Sequence, residues 1–177
     1  VYDGWQGAHW VFAALADIGY PAGDEDLAPL RDQVFAHWLA PRYFTEFEAN
    51  TRQAAYKSHH GAVPVMHGRH RRCASQQGNA LFSASRLGML DGESGRLAER
   101  LLHWQWPDGG WNCDKNPSAD TSSFMETVLP MQALAHYGRA TEDAAAQKAA
   151  RKAANVFLSR KLFKRRSDGE IIQQDFT

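Results

Sequence analysis

The chain has 177 residues, with 20 basic and 20 acidic side chains, so its formal net charge is zero. A chain without excess positive charge has no general attraction to phosphate backbones, and we predict no nucleic-acid partner. No apolar run approaches the roughly 20 residues that span a bilayer, and no signal peptide opens the sequence. Because only two cysteines are present, a disulfide framework is disfavoured. These features favour a cytoplasmic protein.

Three alanine-rich segments predict helices that each end near a glycine: residues 7–20, 78–90 and 127–138. A polar turn and a second predicted helix follow each of them: residues 27–41, 96–106 and 144–163. Paired helices repeated every 50 to 70 residues or so are typical of a helical array. Both ends of the sequence look like cuts through such an array. We therefore predict one domain over residues 1–177 with about three helix-pair repeats.

Residues 42–70 break this pattern and predict a long irregular insertion. The only strand-like string in it, residues 63–66, is short and carries Pro64, which is unfavourable inside a sheet. The fold class predicted from these patterns is therefore all-α.

The string HGRHRRC, residues 67–73, concentrates positive charge just before a helix predicted to begin near Ala74. A helix N-terminus offers free amide groups, and arginines beside it favour an anion such as a diphosphate. The predicted substrate-binding residues here are Arg69, His70, Arg72 and, at the head of the helix, the amide side chains of Gln76 and Gln77. The alternatives are surface charge for the arginines and capping of neighbouring turns for the glutamines.

The segment QWPDGGW, residues 105–111, combines a helix stop with a tight turn. Leu97, Leu101 and Trp104 recur at helical spacing before it, and Pro107 cannot continue that helix. We expect Gln105 to satisfy backbone groups at a neighbouring helix end and Trp111 to pack across the joint.

Residues 105–138, which read QWPDGGWNCD and continue to SSFMETVLPMQALAHYG, resemble the QW repeat of squalene-hopene and oxidosqualene cyclases. These enzymes share a superfamily with the β-subunits of protein prenyltransferases. The resemblance implies an α/α toroid of inner and outer helices, of which this chain would supply a partial α6/α6-type barrel. It also implies that the chain binds an isoprenoid or other hydrophobic small molecule, near Trp111, and cyclises or otherwise transforms it. The alternative is a non-catalytic toroid that binds a lipid or a protein partner.

The acid motifs of the two cyclase families, Asp-x-Asp-Asp and Asp-Cys-Thr-Ala-Glu, do not occur in the chain. Asp114 and Asp120 are instead the candidate catalytic residues, because in the implied fold they flank a loop that leads to an inner helix. As a pair they would position a proton or a Mg²⁺ ion. The alternative is that Asp120 caps a helix and Asp114 bonds turn amides.

Zinc is disfavoured by the sequence. Prenyltransferase β-subunits bind it through Asp-x-Cys after a similar turn, and here Ser122 stands at the cysteine position. We predict no metal ligands and no resident cofactor, with Mg²⁺ at the aspartates as the alternative.

The basic run from Lys148 to Arg166 ends among apolar residues, as in helices that lie on anionic membranes. It predicts a peripheral membrane contact, with an ordinary solvated helix face as the alternative. The sequence does not specify an oligomeric state.

Overall fold

The computed structural model describes residues 6–57 and 62–173. Within them the chain forms seven α-helices: α1 Ala8–Asp17, α2 Ala28–Trp38, α3 Arg52–Lys57, α4 Ala74–Arg86, α5 Gly92–Trp104, α6 Phe124–Ala140 and α7 Ala144–Leu158. Two short 3-10 turns, Glu25–Leu27 and Pro41–Tyr43, adjoin α2. The predicted dominance of helix is confirmed. Among the helices of these two ranges, none combines the length and apolarity needed to cross a membrane.

The long helices pack as three neighbouring hairpins. Helix α4 lies between α1 and α6, and each of these three helices packs against the helix that closes its own hairpin, α2, α5 or α7. One main core runs through all three hairpins and is rich in alanine and leucine.

Helices α4 and α6 approach very closely at Gly78. A Cβ atom at this position would lie within 2.9 Å of three Pro130 atoms, two of them backbone atoms. Only glycine fits such a contact, because the backbone of α6 has no room to move away. Gly78 therefore sets the distance between the central hairpin and the third one.

The structure is mostly helical, as predicted, but the segment predicted to be irregular contains a small sheet. Its strands are β1 Glu46–Glu48, β2 Val63–Met66 and β3 Arg69–His70, in the order β1-β2-β3. Strand β2 pairs parallel with β1 and antiparallel with β3. All four residues of β2 are buried.

The prediction that residues 63–66 form no strand is wrong, and the hydrogen bonds show why. The Val63 N–H donates to the Thr45 carbonyl, and the Val65 carbonyl accepts from the Ala49 N–H. Pro64 lies between these bonds, so the donor that it lacks is not needed, and its carbonyl accepts from Arg71.

One buried histidine joins three helices. His9 of α1 is 2% exposed, and its Nδ1 accepts a hydrogen bond of 3.0 Å from the Trp38 indole of α2. Its Nε2 lies 3.5 Å from the amide nitrogen of Asn79 on α4. Burial, helped by the charge of His37, lowers the pKa of His9 from 6.5 to about 4. His9 is therefore neutral in the folded protein.

This burial predicts a loss of stability in mild acid. Below pH 6.5 the unfolded chain protonates His9 whereas the folded chain does not until about pH 4. The free energy of unfolding should therefore fall as the pH drops between these values, with His9 contributing up to about 3 kcal/mol of the loss. Urea unfolding from pH 7 to pH 4 measures it. His9→Gln, which keeps an acceptor for Trp38, should lose clearly less stability over this range. The exposed His67→Gln serves as control, and parallel curves for wild type and His9→Gln would contradict the assignment.

Candidate functional site around residues 69 to 73

The turn predicted at residues 105–111 closes on itself and lies against α7. The Trp106 N–H donates to the Gly110 carbonyl over 2.8 Å, and the Gly109 N–H donates to the Trp106 carbonyl over 2.9 Å. Gly109 has a φ of 110° and lies so near the Lys152 carbonyl that a side chain has no room. Gly109 thus lets the turn approach the backbone of α7, while Gly110 lies against the side chains of Ser122 and Thr127.

The side chains of the turn satisfy backbone carbonyls on both sides of it. Gln105 Nε2 donates to the carbonyls of Gly109, at 2.7 Å, and of Ala149, at 2.9 Å. The Trp111 ring is buried, and its Nε1 donates over 2.9 Å to the carbonyl of Leu101, in the last turn of α5. The final carbonyls of a helix have no partner within the helix. Trp111, rather than Gln105 as predicted, therefore satisfies the helix end, and Gln105 contacts the interior of α7.

The chain after this turn runs beside residues 69–73. Arg71 and Asn112 form a parallel bridge, and the Trp106 indole donates to the His70 carbonyl over 2.8 Å. Residues about forty positions apart in sequence are thereby held next to each other. The side chains of residues 70–73 therefore lie against those of residues 103–113.

Two arginines of this segment are buried on aromatic rings. The guanidinium carbon of Arg71 lies 4.5 Å from the Trp106 ring centre, and that of Arg72 lies 4.6 Å from the Tyr43 ring centre. Arg71 is 2% exposed and Arg72 is 9% exposed. Within the described residues, no nitrogen of the Arg71 guanidinium, and neither Nε nor Nη2 of Arg72, has a hydrogen-bond partner. Buried cations with unused donors favour an anion beside them, because ring contacts compensate only part of the lost hydration.

A cluster of two thiols and a carboxylate adjoins Arg72. The ligand atoms of Cys73, Cys113 and Glu126 all lie within 4.8 Å of one another. The Cys113 thiol donates to Glu126 Oε1 over 3.5 Å, and the Ser75 N–H donates to Glu126 Oε2 over 3.1 Å. A hydrogen bond between the thiols of Cys73 and Cys113 lowers the pKa of Cys73 and raises that of Cys113. Cys73 therefore carries the thiolate more readily.

A second cluster lies on the sheet side of the same segment. His70 Nε2 is 3.2 Å from Glu46 Oε2, and His103 Nε2 is 2.9 Å from Glu46 Oε1. The Trp104 indole also donates to Glu46, over 3.3 Å. Burial acts to raise the pKa of Glu46, but His70, His103 and the hydrogen bonds together lower it. Glu46 is thus a carboxylate held between two histidines.

The two predicted catalytic aspartates are exposed and belong to neither cluster. Asp114 accepts a hydrogen bond of 2.9 Å from the Asn116 N–H. It therefore bonds a turn amide, as the alternative interpretation of this residue predicts. Asp120 accepts from the Thr121 hydroxyl, which lowers its pKa, and the N-cap position of α6 is held by Ser123, whose side chain makes no capping bond. In the part of the chain that the structure describes, they complete no group of three metal ligands.

The predicted substrate-binding residues lie mostly below the surface. Arg69 is half-buried and bonds the His67 carbonyl over 3.3 Å. Gln77 is fully buried and neither of its amide atoms has a partner among the described residues, while Gln76 is half-buried. The prediction of free amides at the start of α4 is wrong at Ser75, because the Glu126 carboxylate already accepts that N–H.

Sequence reasoning missed most members of both clusters: Glu46, Cys73, His103, Cys113 and Glu126. None of them has a recognisable ligand spacing. The one available signal was that His70 and Cys73 lie within four residues of each other, while His103 and Cys113 lie on either side of one turn.

No protein-family profile, curated protein or solved structure matches this chain. The resemblance to QW-repeat enzymes therefore rests on the residues of the turn and of the helix after it.

The contacts of Trp111 predict how strongly the turn stabilises the fold. Trp111→Ala should lower the free energy of unfolding by roughly 3 to 5 kcal/mol, since it removes a fully buried ring. Trp111→Phe keeps most of the ring but leaves the Leu101 carbonyl without its donor, and should cost about 1 to 3 kcal/mol. Guanidinium unfolding of both variants measures these losses. Wild-type stability in Trp111→Phe would mean that the indole hydrogen bond contributes nothing, and equal losses in the two variants would mean that the buried ring contributes nothing beyond that bond.

Proposed function

We propose that this chain is an isoprenoid-binding protein of the terpene cyclase and prenyltransferase kind, and that it cyclises or otherwise transforms its substrate. The observation that carries the proposal is the position of the QW turn between successive hairpins. Trp111 bonds the end of α5 in the central hairpin, and Gln105 bonds α7 in the third. A turn that joins one hairpin to the next is what repeats of an α/α toroid require.

A cationic cavity beside this turn suits the diphosphate of an activated prenyl substrate. It has a volume of about 440 Å³ and is lined by five cationic side chains from the chain that follows α7: Arg160, Lys161, Lys164, Arg165 and Arg166. Asp108 is its one acidic lining residue, and both of its oxygens accept from Ser122, at 2.6 and 2.8 Å. Positive charge therefore dominates the cavity, which favours a multiply charged anion.

An aromatic pair adjoins the cations. Phe124 and Phe157 stack with ring centres 4.8 Å apart, and the Arg160 guanidinium lies 3.9 Å from the Phe124 ring centre. Both rings are half-buried, so they offer apolar surface next to the charge. A prenyl diphosphate has the same two parts, a charged head and an apolar chain.

We therefore place the diphosphate headgroup in this cavity and not at the arginines before α4, where the sequence predicted it. Arg71 and Arg72 lie under aromatic rings, whereas Lys161, Lys164 and Arg166 form no ion pair with any residue in 6–57 or 62–173. Cations without an ion-pair partner can bind an anion without first breaking internal contacts.

Calorimetric titration with farnesyl diphosphate, inorganic diphosphate and squalene tests the proposal. Farnesyl diphosphate should bind saturably, more tightly than diphosphate alone and more weakly at high salt. The double variant Lys164→Ala with Arg166→Ala should weaken binding about tenfold or more, since a hydrogen bond to a charged group contributes about 1.5 to 3 kcal/mol. Lys148→Ala removes an exposed cation of α7 outside the cavity and should leave binding unchanged.

The pattern of ligands distinguishes the remaining cases. If squalene binds and neither diphosphate does, the substrate is a neutral isoprenoid. The cations that line the cavity would then be ordinary surface charge. Binding of farnesyl diphosphate without any product detectable by mass spectrometry would favour the non-catalytic alternative. If none of the three ligands binds, the isoprenoid proposal is wrong.

A further inference from the structure

We propose that Cys73, Cys113 and Glu126 form a zinc site with one open coordination position. The site is separate from the cationic cavity and does not depend on the isoprenoid proposal. Two thiolates are soft donors that select zinc over Mg²⁺ or Ca²⁺, and a carboxylate oxygen is also a common zinc ligand.

The three ligand atoms already converge. They lie within 4.8 Å of one another, and two sulfur atoms on one tetrahedral zinc are separated by about 3.8 Å for Zn–S bonds of about 2.3 Å. Side-chain rotations are thus enough to complete the site. Its backbone is also fixed, because the bridge from Arg71 to Asn112 holds the chain beside both cysteines.

Neighbouring groups orient the ligands. The Ser75 N–H holds Glu126 Oε2, which leaves Oε1 directed at the sulfur of Cys113. Cys73 is the residue that precedes the first turn of α4, where the positive end of the helix dipole stabilises a thiolate. Such outer contacts are typical of metal sites, since they restrict the ligand to its binding orientation.

The charge of Arg72 completes the argument. Two thiolates and a carboxylate carry three negative charges, a zinc ion carries two positive charges, and Arg72 adds the third. Its guanidinium is buried, and its Nε and Nη2 have no partner within the described residues. Zinc bound by the two thiolates and the carboxylate would therefore form a neutral group together with Arg72.

Three protein ligands leave the fourth tetrahedral position to water or a substrate atom. All three ligands are half-buried, so that position is within reach of solvent. Zinc there would lower the pKa of bound water or activate a bound thiol.

Reconstitution of the full chain tests the site. The protein is stripped with a chelator under reducing conditions, incubated with Zn²⁺ alone and analysed for bound metal by mass spectrometry. One zinc per chain should remain after gel filtration. Cobalt in place of zinc should give the intense near-ultraviolet band of thiolate-to-cobalt charge transfer.

Matched variants assign the ligands. Cys73→Ser and Cys113→Ser should each abolish retention of the metal and the cobalt band. Glu126→Gln keeps an acceptor for the Ser75 N–H and should weaken binding at least tenfold. His103→Gln disrupts the Glu46, His70 and His103 cluster and should leave the stoichiometry and the cobalt band unchanged.

Three results would overturn the proposal. The first is no retained metal in a reduced protein whose circular dichroism is native. The second is a metal that is lost in His103→Gln and kept in both serine variants, which would place it at the histidine cluster. The third is an intramolecular disulfide of Cys73 and Cys113 that resists mild reduction in the purified chain. The cobalt spectrum of the unmutated chain is decisive even where a variant fails to fold, because the band requires bound thiolate.

Discussion

The central part of the structure depends on the burial of the Trp111 indole at the end of α5. Its ring fills the joint between hairpins, and its N–H satisfies the Leu101 carbonyl, so one side chain supplies both apolar contact and the missing hydrogen bond. The turn that carries it packs closely, because Gly109 and Gly110 lie against neighbouring atoms of α7 and α6 where a side chain does not fit. A bulkier turn would separate the second hairpin from the third.

Much of the helical part of the fold follows from local patterns. Leu97, Leu101 and Trp104 are all buried, as their spacing predicts, and Pro107 ends α5 close to the predicted position. These features depend on a residue and its near neighbours, which a single sequence displays directly. The predicted hydrogen-bond partner of Gln105 was wrong because it depends on a segment distant in sequence. Whether it reaches a helix end or a helix interior depends on how α7 packs, and no local pattern records that.

The sheet and the candidate site were not predictable in this way. Strand β2 tolerates Pro64 only because its partners use the donors on either side, a property of strand register rather than of composition. Cys73 and Cys113 come together through a single bridge between Arg71 and Asn112. Forty residues of intervening chain hide that pairing, so ligand-spacing rules, which describe local motifs, had nothing to detect.

The cationic cavity and the cysteine cluster both depend on the same turn and on the start of α6. Asp108 in the turn binds Ser122, whose carbonyl accepts from Arg160 in the cavity. Cys113, five residues after Asp108, donates to Glu126, which lies four residues after Ser122 in the first turn of α6. Residues 122–126 are therefore one continuous segment between the cavity and the cluster. At one end Ser122 is bonded to Asp108 and Arg160, and at the other Glu126 is bonded to Ser75 and Cys113.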